Sequence, residues 1–248
     1  MATSNADRSA PATGIPPLGV IGTLLVFGGG AILLFAATHG LIPLLASRTA
    51  AEPVLLWFIA GGLGTLVPLV VVGIVILRGE TSRPLVVLWR DRLRFRRMNA
   101  GDWLWSFTAL LLVGLFAAGM LAALRLAWPG IQLHPPFLKM DPLTPGRYWI
   151  LAAWLPFFVL NILGEEFLWR GVVLPRQEAA FGKWTWLANG GGWLLFHLAF
   201  GPTILATLFP IVFILPFVVQ RRKNSWIGVV IHGGLNGPGF LAVAFGFA

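Results

Sequence analysis

The chain has 248 residues, of which 57% are hydrophobic and only 11% are charged, with 18 Lys and Arg residues against 9 Asp and Glu residues. This composition, with a mean hydropathy of +0.83, excludes an ordinary soluble domain, in which charged residues make up about 25%. The absence of cysteine excludes disulfides, thiolate nucleophiles and Cys-ligated zinc. The sequence therefore predicts an integral membrane protein whose chemistry depends on other side chains.

Seven apolar runs are long enough to cross a hydrocarbon core, which needs about 20 helical residues. They cover residues 18–46, 54–77, 103–124, 148–174, 184–200, 203–219 and 226–247. Residues 1–17 are small and polar and lack the pattern of a signal peptide, so we predict a disordered tail there. We expect an all-α, polytopic transmembrane helical bundle of about seven spans.

The positions of Lys and Arg predict the orientation of this bundle. An arginine-rich loop at 78–97 and a basic cluster at 221–223 resemble cytoplasmic loops, which retain positive charge. With seven spans, both face the cytoplasm when the N-terminus is inside and the C-terminus is outside. The formal charge of +9 then matches anionic lipid headgroups, and we expect no nucleic-acid partner.

The fourth run contains three charged residues within NILGEEFLWRG, residues 161–171. A charge near mid-membrane costs about 2.5–3.5 kcal/mol on insertion scales, so such residues usually face a protein interior or a cavity. Glu166 and Arg170 are four residues apart on one helix face, which predicts an ion pair. Glu165 lies about 100° further around the helix and is left for chemistry. Asn161 shares its face, where it either orients Glu165 or bridges two helices.

Two later runs add matching polar groups. His197 lies in the apolar sequence WLLFHLAFG, and His232 and Asn236 share one helix face in IHGGLNGPG. A single histidine in a span is as often an interhelical hydrogen bond as a catalyst. Together, two acids, two histidines and an amide on three helices form a polar set that an inert bundle does not need, and they predict a functional site.

These motifs resemble the CAAX-protease and bacteriocin-processing family of intramembrane proteases, also called Abi. The family pattern is Glu-Glu-x-x-x-Arg, Phe-x-x-x-His and His-x-x-x-Asn on three helices. Residues 165–170, 193–197 and 232–236 are similar to it, with Trp193 in place of the Phe. The resemblance covers roughly residues 145–247. It divides the chain into a tail at 1–17, N-terminal helices with the basic cytoplasmic loop at 18–144, and a protease region at 145–248.

The resemblance implies an intramembrane endopeptidase that cleaves a membrane-associated peptide or a prenylated protein tail. It implies that Glu165 and His197 activate the attacking water and that His232 and Asn236 stabilise the oxyanion. The supporting residues are then Glu166, Arg170 and Asn161. The expected partners are membrane lipids and the substrate, and the expected location is a prokaryotic plasma membrane.

Three alternatives stay open. Zinc held by Glu165, His197 and His232 would also activate water, but the HExxH pattern is absent and Asn236 suits an oxyanion site better. A mechanism without metal or other cofactor is therefore favoured. A non-catalytic scaffold or bacteriocin-immunity protein would use the same cavity for binding. A transporter is disfavoured, because the sequence shows neither inverted repeats nor paired broken helices.

Overall fold

The computed structural model describes residues 15–132, 134–138 and 140–247. Residues 1–14, most of the predicted tail, lie outside the described residues. The described chain is largely helical and contains no strand, which confirms the predicted all-α bundle. Its helices are α1 (Val20–Ala46), α2 (Pro53–Glu80), α3 (Leu85–Asp91), α4 (Ala100–Ala127), α5 (Trp149–Glu166), α6 (Leu174–Phe181), α7 (Thr185–Phe196), α8 (Pro202–Arg222) and α9 (Trp226–Ala244).

Six helical segments of the described chain are long and apolar enough to cross a membrane. The fourth and fifth predicted runs both lie in one of them, Trp149–Phe200, whose 52 residues exceed a single crossing. This segment turns at Gly182, whose φ of +53° suits glycine because it has no Cβ. After the turn, Asn189 Nδ2 donates to the main-chain oxygen of Trp169 at 3.1 Å, so α7 folds back along the preceding helix. The fourth and fifth predicted runs are therefore the two antiparallel parts of this one helical segment.

The helix ends follow from local sequence. Asn99 caps α4 by accepting a hydrogen bond from the Asp102 nitrogen at 2.9 Å, and the Asp102 carboxylate accepts one from the Asn99 nitrogen at 3.1 Å. This reciprocal capping box satisfies two otherwise unpaired N–H groups. Pro53 and Pro202 begin α2 and α8, a position where the missing N–H costs nothing.

The two ends of the bundle differ in charge. One end, called here the basic end, consists of residues 78–99, 174–185 and 220–226 and holds twelve of the 18 Lys and Arg residues. Arg92 pairs with Glu80 at 2.7 Å, and Arg94 pairs with Glu178 at 2.7 Å. These pairs fasten the arginine-rich loop to α2 and α6.

The opposite end, called here the loop end, consists of the described residues of 47–52, 128–148 and 244–247. The Leu143 nitrogen donates to the Ala244 oxygen at 2.8 Å. Arg147 pairs with Glu52, and its hydrogen bond holds the pKa of the Glu52 carboxyl below its usual range. The Leu18 nitrogen, in contrast, bonds to α6 at the basic end. The described chain thus starts at the basic end and finishes at the loop end.

Candidate active site

The polar residues of the three motifs meet at one cavity of about 950 Å³. Its lining includes Asn161, Glu165, Trp193, His197, His232 and Asn236. Glu166 and Arg170 lie behind this lining and are both 0% exposed. The structure therefore brings together all the residues that the sequence singled out, and it separates those facing the cavity from those buried beneath it.

Two N–H donors hold the carboxylate of Glu165. Asn161 Nδ2 donates to Oε1 at 2.8 Å from one turn earlier on α5. The indole Nε1 of Trp193, on α7, donates to Oε2 at 2.7 Å. Because each oxygen accepts from a donor on a packed helix, the carboxylate is oriented before any substrate arrives.

Trp193 is the site residue that the sequence analysis missed, since it was read only as a replacement for the family's Phe. Its ring also lies 3.8 Å from the Arg170 guanidinium carbon and meets the rings of His197 and His232 edge to face. A phenylalanine would keep such ring contacts but has no N–H for Glu165. The sequence did offer one sign of this role, because the N–H of a buried tryptophan needs a hydrogen-bond acceptor.

We expect Trp193→Phe to lower kcat by about 10- to 100-fold with little change in KM, because a hydrogen bond to a charged group contributes about 1.5–3 kcal/mol. Trp169→Phe is the matched control. Trp169 is equally buried, and its Nε1 has no partner among the described residues. Steady-state kinetics and thermal unfolding of both variants would check this. An equal loss of kcat in the two variants would show that Trp193 acts through packing alone.

Glu166 and Arg170 form the predicted ion pair one turn apart. Arg170 Nη1 donates to Glu166 Oε1 at 3.1 Å, and both side chains are 0% exposed. The other carboxylate oxygen faces Gly228 on α9, where an added Cβ would overlap it. Glycine at this position therefore lets α9 approach the buried pair.

A chain of hydrogen bonds joins the two glutamates across three residues. His232 Nδ1 bonds to Glu166 Oε1 at 3.1 Å, and His232 Nε2 bonds to Asn236 Nδ2 at 3.1 Å. Asn236 Nδ2 also donates to Asn161 Oδ1 at 3.3 Å. Asn161 in turn donates to Glu165, which completes the chain.

The hydrogen bond from Asn161 to Glu165 sets the direction of these bonds. A carboxylate only accepts, so Asn161 presents its Nδ2 to Glu165 and its Oδ1 to Asn236. Asn236 then donates through Nδ2 in both directions, and His232 accepts at Nε2. His232 therefore carries its proton at Nδ1 and donates it to Glu166.

His197 lies where α7 passes into the 3₁₀ turn His197–Phe200. Its Nδ1 donates to the main-chain oxygen of Trp193 at 2.8 Å. A carbonyl oxygen only accepts, so the neutral ring carries its proton on Nδ1 and has an unprotonated Nε2. In the part of the chain that the structure describes, no hydrogen bond joins His197 directly to Glu165. Both side chains line the cavity, and they do not contact each other through a hydrogen bond.

The three candidate zinc ligands are not placed as a metal-binding group in the described part of the chain. Among the described residues, no group of three or more His, Asp or Glu side chains could hold a metal ion. Both oxygens of Glu165 accept hydrogen bonds, and both ring nitrogens of His232 are engaged. In this arrangement the donor set does not fit zinc.

The N-terminal half of the chain, predicted only as hydrophobic helices, builds part of the cavity wall. Its contributions include Trp57, Phe58 and Gly61 from α2 and Ala117, Leu121 and Arg125 from α4. Residues of the 129–147 loop, among them Gln132 and His134, lie at the rim. Apolar residues that face lipid and those that face a cavity are alike in composition, so the sequence carried no sign of this wall.

Residues 147–237 match the model of a family described as type II CAAX prenyl endopeptidase Rce1-like. No curated protein and no solved structure matches the chain. The matched segment contains all three motifs, and with them the cavity residues Asn161, Glu165, His197, His232 and Asn236. The chain is therefore a multi-pass membrane protein whose residues 147–237 match an Rce1-like, CAAX-type protease family, consistent with the CAAX-protease and bacteriocin-processing family.

Proposed function

We propose that this protein is an intramembrane endopeptidase that hydrolyses a membrane-associated peptide or a prenylated protein tail, with water activated by Glu165 and His197. One observation carries the proposal: the oriented carboxylate of Glu165 and the imidazole of His197 line the same largely apolar cavity. Such a cavity limits competing water and strengthens the electrostatic interactions within it.

In the proposed reaction, a water molecule lies between Glu165 and His197. Nε2 of His197 accepts one hydrogen bond from the water, and Glu165 takes a proton as the water oxygen attacks the scissile carbonyl carbon. The same proton then passes to the leaving nitrogen as the C–N bond breaks. The products are a carboxylic acid and an amine.

Asn236 and His232 would stabilise the negative charge that develops on the carbonyl oxygen. Asn236 turns one N–H of its amide toward the oxyanion. His232 keeps its proton at Nδ1, where it donates to Glu166, and its Nε2 accepts the other N–H of Asn236 and so orients that amide. Because Glu166 and Arg170 are buried behind the cavity lining, we assign them a supporting role without substrate contact.

Asn236→Ala should lower kcat by about 10²–10³-fold, the usual effect of removing one oxyanion donor. KM should barely change, since the donor acts mainly in the transition state. The assay is hydrolysis of a quenched fluorogenic peptide with a farnesylated C-terminal tail, alongside its unprenylated counterpart, by purified protein in detergent. A raised KM with normal kcat would instead make Asn236 a substrate-binding residue.

Zinc content and activity, measured on the same preparations, test the absence of a metal in the proposed mechanism. We expect well under one zinc per chain and full activity after exhaustive chelation. His197→Ala and His232→Ala should then lose activity with no change in zinc content. About one zinc per chain, lost with activity in these variants and restored by added metal, would contradict the glutamate mechanism.

We also propose that the basic end faces the cytoplasm and that the membrane is a prokaryotic plasma membrane. The support is the concentration of Lys and Arg at that end. In the described part of the loop end and in the adjoining last turn of α4, the Lys and Arg residues are only Arg48, Arg125 and Arg147. The N-terminus is then inside and the C-terminus outside. Anionic lipid headgroups are the proposed partners of the exposed arginines.

A further inference from the structure

Helix α4 packs against the bundle in its first half only, and its second half, next to the loop end, is not buried. Its buried residues are Asp102, Ser106, Ala109 and Val113, all in the half next to the basic end. After Val113 no residue of α4 is buried, although the structure describes the whole helix. In this second half, Ala117, Leu121 and Arg125 line the cavity. The gap between α4 and its neighbours thus widens toward the loop end.

The cavity is closed toward the basic end. Every residue of the π-helical turn Phe167–Val173, just beyond Glu165, is buried. Leu93 and Phe95 of the arginine-rich loop pack over this turn at Gly171, and Arg92 donates to the main-chain oxygen of Gly171 at 3.0 Å. The arginine-rich loop therefore separates the carboxylate of Glu165 from the basic end.

We infer that the substrate reaches Glu165 from the loop end, on the non-cytoplasmic side of the membrane. The substrate is then an apolar peptide segment presented on that side. Aromatic residues along the route, including Phe58, Phe137 and Phe240, supply apolar surface for such a segment. This inference rests on the proposed function and narrows its substrate class.

Single cysteines test the orientation without requiring activity, since the chain has no cysteine of its own. Gln132 is exposed at the cavity rim, and Arg90 is exposed at the basic end. A membrane-impermeant maleimide should label Gln132→Cys in intact spheroplasts and should label Arg90→Cys only after permeabilisation. The reverse pattern would overturn the inference.

Sealed membrane vesicles test the side of access. The probe is an impermeant, quenched fluorogenic peptide with an apolar segment around the scissile bond. We expect right-side-out vesicles to hydrolyse it at least about tenfold faster than inverted vesicles, with detergent removing the difference. A bulky maleimide on Gln132→Cys should slow hydrolysis, and the cysteine-free parent should be unaffected by the reagent.

The outcomes separate this inference from the proposed function. Hydrolysis in detergent combined with faster cleavage by inverted vesicles would overturn the side of access and leave the protease assignment in place. Absence of hydrolysis in detergent, with both prenylated and unprenylated peptides, would contradict the protease assignment. The labelling pattern would still decide which end faces the cytoplasm.

Discussion

Glu165→Gln is expected to abolish peptide hydrolysis, with kcat falling by about 10²–10⁴-fold, the usual contribution of a positioned acid or base. Glutamine keeps the size of the side chain and removes the basic oxygen. It also offers a single acceptor oxygen in place of two, so only one of the donors on Asn161 and Trp193 keeps its partner. Steady-state hydrolysis by purified protein would measure the loss, and thermal unfolding would show that the variant folds.

Glu178→Gln is the matched control for this variant. Glu178 pairs with Arg94 at the basic end, and no catalytic role is assigned to it, so kcat should be unchanged. A scaffold or bacteriocin-immunity protein would tolerate Glu165→Gln, because binding does not require a base. Full function in this variant would therefore favour the non-catalytic alternative over a protease.

Arg170→Ala is expected to destabilise the protein by about 3–5 kcal/mol, because it leaves the buried charge of Glu166 without its partner. The loss of the guanidinium over the Trp193 ring adds to this effect. The expected result is a lower unfolding temperature in detergent and a lower protein level in the membrane. Arg147→Ala is a suitable control, since its pair with Glu52 lies at the loop end and both side chains are partly exposed.

The double variant Glu166→Gln, Arg170→Met separates charge from packing. Removing both charges of a buried pair is often neutral, so most of the stability lost in Arg170→Ala should return. Activity should stay low, because His232 loses the carboxylate at its Nδ1. Normal stability of Arg170→Ala alone would show that the arginine serves the substrate or the cavity instead of the fold.

Local spacing in the sequence predicted the contacts within a helix. The pairs Glu166–Arg170 and Asn161–Glu165 are each four residues apart, and both contacts are present in the structure. This works because helical geometry alone places such residues on one face. The convergence of the three motifs was expected from the polar residues on three otherwise apolar helices and from the family resemblance. Spacing alone could not give it, since it depends on how separate helices pack.

Contacts between helices were harder to predict. The bond from Trp193 to Glu165 joins residues 28 positions apart, and the cavity wall from α2 and α4 comes from still further along the chain. Membrane helices are apolar on all sides, so no polar stripe shows which face meets a neighbour. The fourth and fifth predicted runs end and begin on either side of the turn at Gly182, so the sequence placed the reversal between them, but not the contacts that pack α7 against the preceding helix.

The hydrogen-bond chain from Glu166 to Glu165 has a further consequence for how the site can be dissected. Each member orients the next, so removing one releases those on either side of it. Free-energy changes measured for single replacements of linked residues are not additive, and polar networks in a low-dielectric interior show this strongly. Separate shares of the rate enhancement therefore cannot be apportioned to Asn161, His232 and Asn236. The unit whose contribution can be measured is the connected set.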